Sequence, residues 1–163
     1  MIAADRKDTA PRPPGDDSGL EKAARILFLC TYNAIRSPLA AALARRRLDS
    51  GMAIESAGVR AGKASPFAIA VAAEAGLDLG DHIPRSLDQR DRRPVDLIIS
   101  LTPEAQHRAV EFTRDNDCRL RYWPTFDPTA AEGNREAVLA SYRLLRDQLA
   151  DHIEALADEL EQD

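Results

Sequence analysis

Two stretches of this chain are apolar at every position rather than at every second one. They are residues 26–29 in "RILFL" and residues 97–99 in "VDLIIS". A strand with one face in water alternates between apolar and polar residues. Unbroken runs of this length belong to strands buried on both faces, as in a parallel sheet with helices above and below. The segments between them read as those helices. Ser37-Pro38 offers a capping hydroxyl and a proline at a first helical position, and "LAAALARRRL" follows with strong helix formers, Leu39 and Leu43 sharing a face. "MAIESAG" reads as a further strand closed by glycine. Ser65-Pro66 opens a second helix whose Ala68, Val71, Ala72 and Ala75 share a face until Gly76 stops it. Thr102-Pro103 opens a third helix, and "CRLRYWP" is a fourth strand in which arginines alternate with apolar residues. Val138, Tyr142, Leu145, Leu149, Ile153, Leu156 and Leu160 form one apolar stripe along a last helix.

Strands alternating with helices in this order imply right-handed crossovers between parallel strands. The expected fold class is α/β, a three-layer sandwich with a four-stranded parallel sheet flanked by helices. Residues 1–22 are polar and contain proline and glycine, and read as a disordered tail; residues 23–163 read as a single domain.

Charge and cysteine usage remove several function classes. With 22 Lys and Arg against 27 Asp and Glu, the net charge is −5, and no overall field draws a nucleic acid. Any anion site has to be local. Two cysteines and three histidines supply neither a disulfide framework nor a zinc pattern. No stretch approaches the roughly 18 consecutive apolar residues of a membrane span, and the first residues lack the apolar core of a signal peptide. The expectation is a cytoplasmic protein with reduced thiols and no membrane or nucleic-acid partner, its oligomeric state open.

Ligands of open α/β sheets bind beyond the carboxyl ends of the strands, and Cys30 ends the first strand. The loop from Cys30 to Ser37 runs into a helix N-terminus, where unpaired N–H groups and the helix dipole favour an anion. The same donors stabilise a thiolate. Arg36 can fork onto two oxygens of a tetrahedral oxyanion, Ser37 can donate to the sulfur, and Asn33 tolerates a left-handed backbone. Taken alone, Cys30 reads more readily as a small residue packed at a strand end. A second site appears in "YWPTFDPTA", where Asp127-Pro128 follows the fourth strand. A parallel sheet brings Asp127 to the edge that holds Cys30, although Asp-Pro is also ordinary turn chemistry. A carboxyl there suits protonation of a leaving oxygen and later activation of water.

Together "LFLCTYNAIRSPLA", "ESAGV", "DLIISLT" and "WPTFDP" resemble the low-molecular-weight protein tyrosine phosphatase family, which also contains arsenate reductases. The resemblance implies Cys30 as nucleophile, Arg36 as phosphate clamp and Asp127 as general acid. It implies a substrate-binding loop of Thr31, Tyr32, Asn33, Ala34, Ile35 and Ser37. It implies no metal or organic cofactor, because the loop supplies the positive charge. The substrate expected is a phosphorylated protein or small phosphate ester. The alternatives are arsenate, reduced with an external thiol, or a non-catalytic oxyanion- or phosphoprotein-binding module.

The chain departs from the family in three ways. Tyr32 stands where the phosphate loop commonly has glycine. Ile35 stands where eukaryotic-type members have a second cysteine, and Thr102 where thioredoxin-coupled reductases have the first of a relay pair. "GVRAGK" and "DPTAAEG" lack the aromatics usual around the cleft, leaving Tyr32 or Trp123 as candidates to stack on a substrate, with Trp123 better read as an anchor at a strand end. His82, His107 and His152 and the run Arg45, Arg46, Arg47 read as solvated surface, and Arg60 and Lys63 as groups that could meet an acidic substrate.

Overall fold

The computed structural model describes residues 25–161. The proposed tail and the boundary at residue 22 lie outside them. Four strands, β1 (Arg25–Cys30), β2 (Ala53–Gly58), β3 (Leu97–Ser100) and β4 (Arg119–Tyr122), alternate with four helices. These are α1 (Arg36–Arg47), α2 (Pro66–Glu74), α3 (Pro103–Asp115) and α4 (Arg135–Leu160). The sheet has the order β2-β1-β3-β4, and every pair is parallel. The fold is the α/β sandwich expected from the two unbroken apolar runs.

Alternate residues of β1 feed two cores. Ile26, Phe28 and Cys30 face the core that α1, α2 and α4 complete, with Leu39, Val71, Leu145 and Leu149 among its members. Leu27 and Leu29 face a smaller core with Ala105 and Ala109 of α3 and with Leu87 and Val95. Burial on both sides explains why β1 has no polar alternation. The chain leaves β1 toward β2 on one side and returns to β3 on the other. The crevice between β1 and β3 at their carboxyl ends is therefore the switch point of the sheet, where α/β folds bind ligands.

Ser65 and Thr102 cap α2 and α3 as their sequence predicts, accepting from the amides of Ala68 at 3.2 Å and Ala105 at 3.0 Å. Gly76 ends α2 with φ +79°, a conformation that suits glycine. The start of α1 differs from expectation. Ile35 occupies its cap position without a side-chain bond, and Ser37 lies inside the first turn, so its hydroxyl is not a cap. The stripe on α4 begins one residue late, at Leu139, leaving Val138 and Leu160 at its edge, partly buried.

The arginine run faces solvent as expected, with Arg45 and Arg46 exposed, but its side chains do not end free. Arg45 donates to the Ile54 carbonyl at 2.9 Å, Arg46 to the Ala75 carbonyl, and Arg47 pairs with Glu154 at 2.9 Å and Glu161 at 3.0 Å. Long side chains at the end of α1 thus reach back over β2, α2 and α4. Trp123 is an anchor: it is buried, 5.9 Å from the Phe28 ring, with the exposed His152 stacked on it at 4.8 Å. Among the described residues no helix is long and apolar enough to cross a membrane, and no group of three or more His, Cys, Asp or Glu could hold a metal.

Candidate active site

The β1–α1 loop is shaped by Asn33. Its backbone is left-handed, φ +55°, which asparagine tolerates better than most residues. That twist brings the Asn33 amide to 3.3 Å from Cys30 Sγ. Every polar group of the buried Asn33 side chain is used. Nδ2 donates to Ser37 Oγ at 2.8 Å and Ser56 Oγ at 2.9 Å, and Oδ1 accepts from the Arg85 amide at 2.9 Å. The Asn33 carbonyl meets His82 Nε2 at 2.8 Å. His82 is therefore part of the loop's support and not free surface, contrary to the reading from sequence. Nothing in the sequence pattern marks His82, Arg85 or Ser56 for the site.

Cys30 Sγ lies 2.9 Å from Ser37 Oγ. Ser37 Oγ is also 3.2 Å from the Ala57 carbonyl, and it has one proton for two acceptors. With a neutral thiol, the sulfur can donate and the hydroxyl can keep its bond to Ala57. Once the thiol ionises, the hydroxyl turns to the sulfur. Two donors, the Ser37 hydroxyl and the Asn33 amide, then face the thiolate. The first turn of α1 carries no acidic residue, so nothing there opposes an anion.

Two glycines let the loop pack this closely. A Cβ on Gly58 would lie 2.4 Å from the Arg60 carbonyl oxygen and 2.7 Å from the Asn33 amide nitrogen. A Cβ on Gly62 would lie 2.9 Å from Tyr32 Cβ. The amides of Val59, Arg60 and Gly62 bond to the carbonyls of Cys30, Thr31 and Tyr32, each at 2.9 Å, extending the β1–β2 ladder into the loop.

A cleft of about 120 Å³ opens above Cys30, lined also by Tyr32, Ala34, Ile35, Arg36, Asp127 and Thr129. Arg36, the first residue of α1, donates to the Phe126 carbonyl at 3.4 Å and so ties α1 to the loop that carries Asp127. Asp127 Oδ1 accepts from the Thr129 amide at 2.9 Å and hydroxyl at 2.6 Å. Partial burial pushes the Asp127 carboxyl up. Its bonds to Thr129 and the charge of Arg36 outweigh this and hold it below the usual aspartate range. The signal for Thr129 was present in "DPT", where an Asp side chain commonly bonds the amide two residues on.

Of the loop residues named from sequence, Tyr32, Ala34 and Ile35 line the cleft with Cys30 and Arg36. The side chains of Asn33 and Ser37 are buried behind it, and Thr31 Oγ1 pairs with Thr102 Oγ1 at 3.1 Å. Arg60 is not among the residues lining the cleft and pairs at the surface with Glu104 at 2.7 Å.

The sequence matches the family described as low molecular weight phosphotyrosine protein phosphatase over residues 25–163. The chain belongs to this family. Within it, the chain is 31% identical to an arsenate reductase of Halalkalibacterium halodurans, over 82% of this chain and 94% of that relative. It is 35% identical to the low molecular weight protein-tyrosine-phosphatase Wzb of Escherichia coli, over 74% of this chain and 86% of that relative. Among solved structures, a mutant of the YwlE arginine phosphatase with a phosphorylated active-site serine matches with a TM-score of 0.68 at 26% identity. That match covers 85% of this chain and 97% of the other.

The family's two chemistries differ in their need for thiols, which makes Cys118 informative. It is buried just before β4, its Sγ donates to the Arg119 carbonyl at 3.3 Å, and burial pushes its thiol up to about 12. Leu29 is level with Ser100 and Tyr122 across the sheet. Cys30 is one residue beyond that level and Cys118 four residues before it, so Cys118 sits about 16 Å back from Cys30 along the strand direction, two strands away from β1. Cα atoms in a disulfide lie within about 7 Å, so Cys118 cannot bridge to Cys30 in this fold.

Proposed function

We propose that this chain hydrolyses phosphate monoesters through a cysteinyl-phosphate intermediate. The observation that carries this reading is the single cleft that Cys30, Arg36 and Asp127 line together. In the first step the Cys30 thiolate attacks phosphorus and the bond to the leaving oxygen breaks. Arg36 and the loop amides hold the equatorial oxygens, whose charge grows in the transition state. Asp127 gives its proton to the departing oxygen. In the empty cleft its carboxyl is held low, and the negative charge of a bound phosphate opposes that ionisation. In the second step Asp127 takes a proton from water, the water attacks phosphorus, and the S–P bond breaks to release inorganic phosphate. Ser37 donates to the sulfur as its charge returns.

A second reading, arsenate reduction, is favoured by the relative from Halalkalibacterium halodurans. The position where a relay cysteine would begin is Thr102, which caps α3 and pairs with Thr31. Electrons for this reading come from outside the chain. Cys30 attacks arsenic with loss of water, and a first external thiol adds to arsenic with loss of a second water. A second external thiol attacks that sulfur, giving a disulfide and leaving arsenic(III) on Cys30. Water then breaks the S–As bond to release arsenite and restore the Cys30 thiol.

A paired assay separates these readings. Aryl-phosphate hydrolysis and thiol-dependent arsenate reduction are measured on wild type, Cys30→Ser and Asp127→Ala. Hydrolysis is expected in wild type, to vanish in Cys30→Ser, and to fall about 10²- to 10⁴-fold in Asp127→Ala. Arsenate reduction that outpaces hydrolysis and is indifferent to Asp127→Ala would reverse the ranking.

A further inference from the structure

The outer edge of the sheet carries more positive charge than its own carboxylates neutralise. β2 ends the strand order, and arginines gather around its Glu55. Glu55 Oε1 accepts from Arg85 at 3.1 Å and Arg90 at 3.0 Å, and Oε2 accepts from Arg90 at 3.3 Å and from Arg25. Both oxygens are fully used. The neighbouring acids are engaged as well. Asp91 pairs with Arg93 at 2.7 Å, and Asp96 accepts from the Arg25 amide at 2.9 Å.

Arg45 reaches the same edge from α1, and among the described residues no carboxylate pairs with it. Its Nε and Nη2 both donate to the Ile54 carbonyl, at 3.2 and 2.9 Å. Arg85 Nε donates in the same way to the Ser56 carbonyl at 3.2 Å. Partial burial, and then the charge of Arg85, push the Arg45 guanidinium below its usual value, and the attraction of Glu55 does not make up the difference. A guanidinium has more N–H donors than these bonds use, so both arginines keep some to offer. Arg45 is exposed, and the Arg85 side chain is 38% exposed. Neither lines the cleft of Cys30.

The two capped carbonyls belong to alternate residues of one strand, so they face the same side about 7 Å apart. Guanidiniums seated on them close this edge to a further paired strand. What the edge offers a partner is side-chain charge, not backbone. Alternate side chains of an extended peptide share one face at the same spacing of about 7 Å, so two carboxylates placed in that way meet both arginines at once. The whole chain carries −5, so this attraction is local and screened by salt. We propose that the outer edge of β2 is a docking surface for an acidic segment of a partner protein, bound extended with alternate carboxylates on Arg45 and Arg85. The inference is independent of the chemistry in the cleft.

Labelled peptides test this by fluorescence anisotropy at low salt, with the full chain as titrant. One peptide repeats Ser-Asp, a second has the same composition as a repeat of Asp-Asp-Ser-Ser, and a third repeats Ser-Asn. The alternating acidic peptide is expected to bind about two- to fivefold more tightly than the blocked one, which has no carboxylates two residues apart, and the Asn peptide is expected not to bind. Arg45→Gln is expected to weaken the alternating peptide by a similar factor, Arg45→Lys to restore part of it, and Arg36→Ala, in the cleft, to leave it unchanged. Equal affinity for the alternating and blocked peptides in wild type overturns the proposal even if the Arg45 variants fail to fold. Binding unchanged in a folded Arg45→Gln also overturns it, as does binding lost in Arg36→Ala, which would put the peptide in the cleft. Tighter binding of a DNA strand of equal charge would assign the surface to nucleic acid and overturn it too.

Discussion

At the scale of single residues, Asn33 shapes the loop that holds Cys30. Its side chain bonds to Ser37, Ser56 and the Arg85 amide, and its amide faces Cys30 Sγ. Truncation leaves buried partners unpaired and puts a residue without a local hydrogen bond at φ +55°. Asn33→Ala is expected to destabilise the fold by about 3 kcal/mol in denaturant unfolding. It should also lower kcat in the variant that remains folded. An unchanged unfolding midpoint would mean that the network contributes nothing. The sequence made some of these residues legible and hid others. Cys30, Arg36 and Ser37 are close along the chain, so their spacing could be read directly. His82 and Arg85 meet Asn33 across sequence separations of 49 and 52 residues, with no local pattern to announce it. Thr129 was readable from its turn, and Tyr32 stood out because a bulky residue occupies a tight loop. The approach of Arg60 to its ring could be found only in three dimensions.

At the scale of elements, Glu55 fastens β2 to its surroundings. It accepts from Arg25 of β1, and from Arg85 at 3.1 Å and Arg90 at 3.0 Å in the segment before β3. Arg85 is also the residue whose amide holds Asn33, so the charge cluster and the loop share a strut. Burial pushes the Glu55 carboxyl up, but its hydrogen bonds from Arg90 and Arg25 prevail and hold it below 4.5. The folded chain therefore binds this proton less readily than the unfolded chain. The stabilisation is fully present above about pH 4.5 and is lost as pH falls through the lower folded value. Glu55→Gln is expected to cost about 2 kcal/mol at pH 7 and to flatten the loss of stability below pH 4.5, measured by urea unfolding across that range. A wild-type stability independent of acid in this window would contradict the account. Element order and type were legible because the apolar runs, the Ser-Pro and Thr-Pro starts and the glycine stop act locally. The start of α1 was not, because the loop draws Ser37 inward to the sulfur and away from its capping position. The exposed face at the end of α1 was legible, but not its contacts, because a long side chain on such a face can still end on a distant carbonyl.

At the scale of the whole molecule, the parallel sheet makes one cleft from parts far apart in sequence. β1 delivers Cys30, α1 delivers Arg36, and the loop after β4 delivers Asp127 to the carboxyl edge of the same sheet. The same topology holds Cys118 toward the opposite edge, out of reach of Cys30. Membership of the low-molecular-weight phosphatase family allows hydrolysis and arsenate reduction alike. The proposed preference for hydrolysis rests on Asp127 lining the cleft of Cys30. The most direct test is rapid acid quench of the enzyme turning over an aryl phosphate, followed by mass-spectrometric mapping of the phosphoryl group. The account predicts phosphate on Cys30 Sγ, more of it in Asp127→Ala when the leaving group needs no acid, and none in Cys30→Ser. Steady hydrolysis with no phosphate on Cys30, or hydrolysis that survives Cys30→Ser, would contradict it.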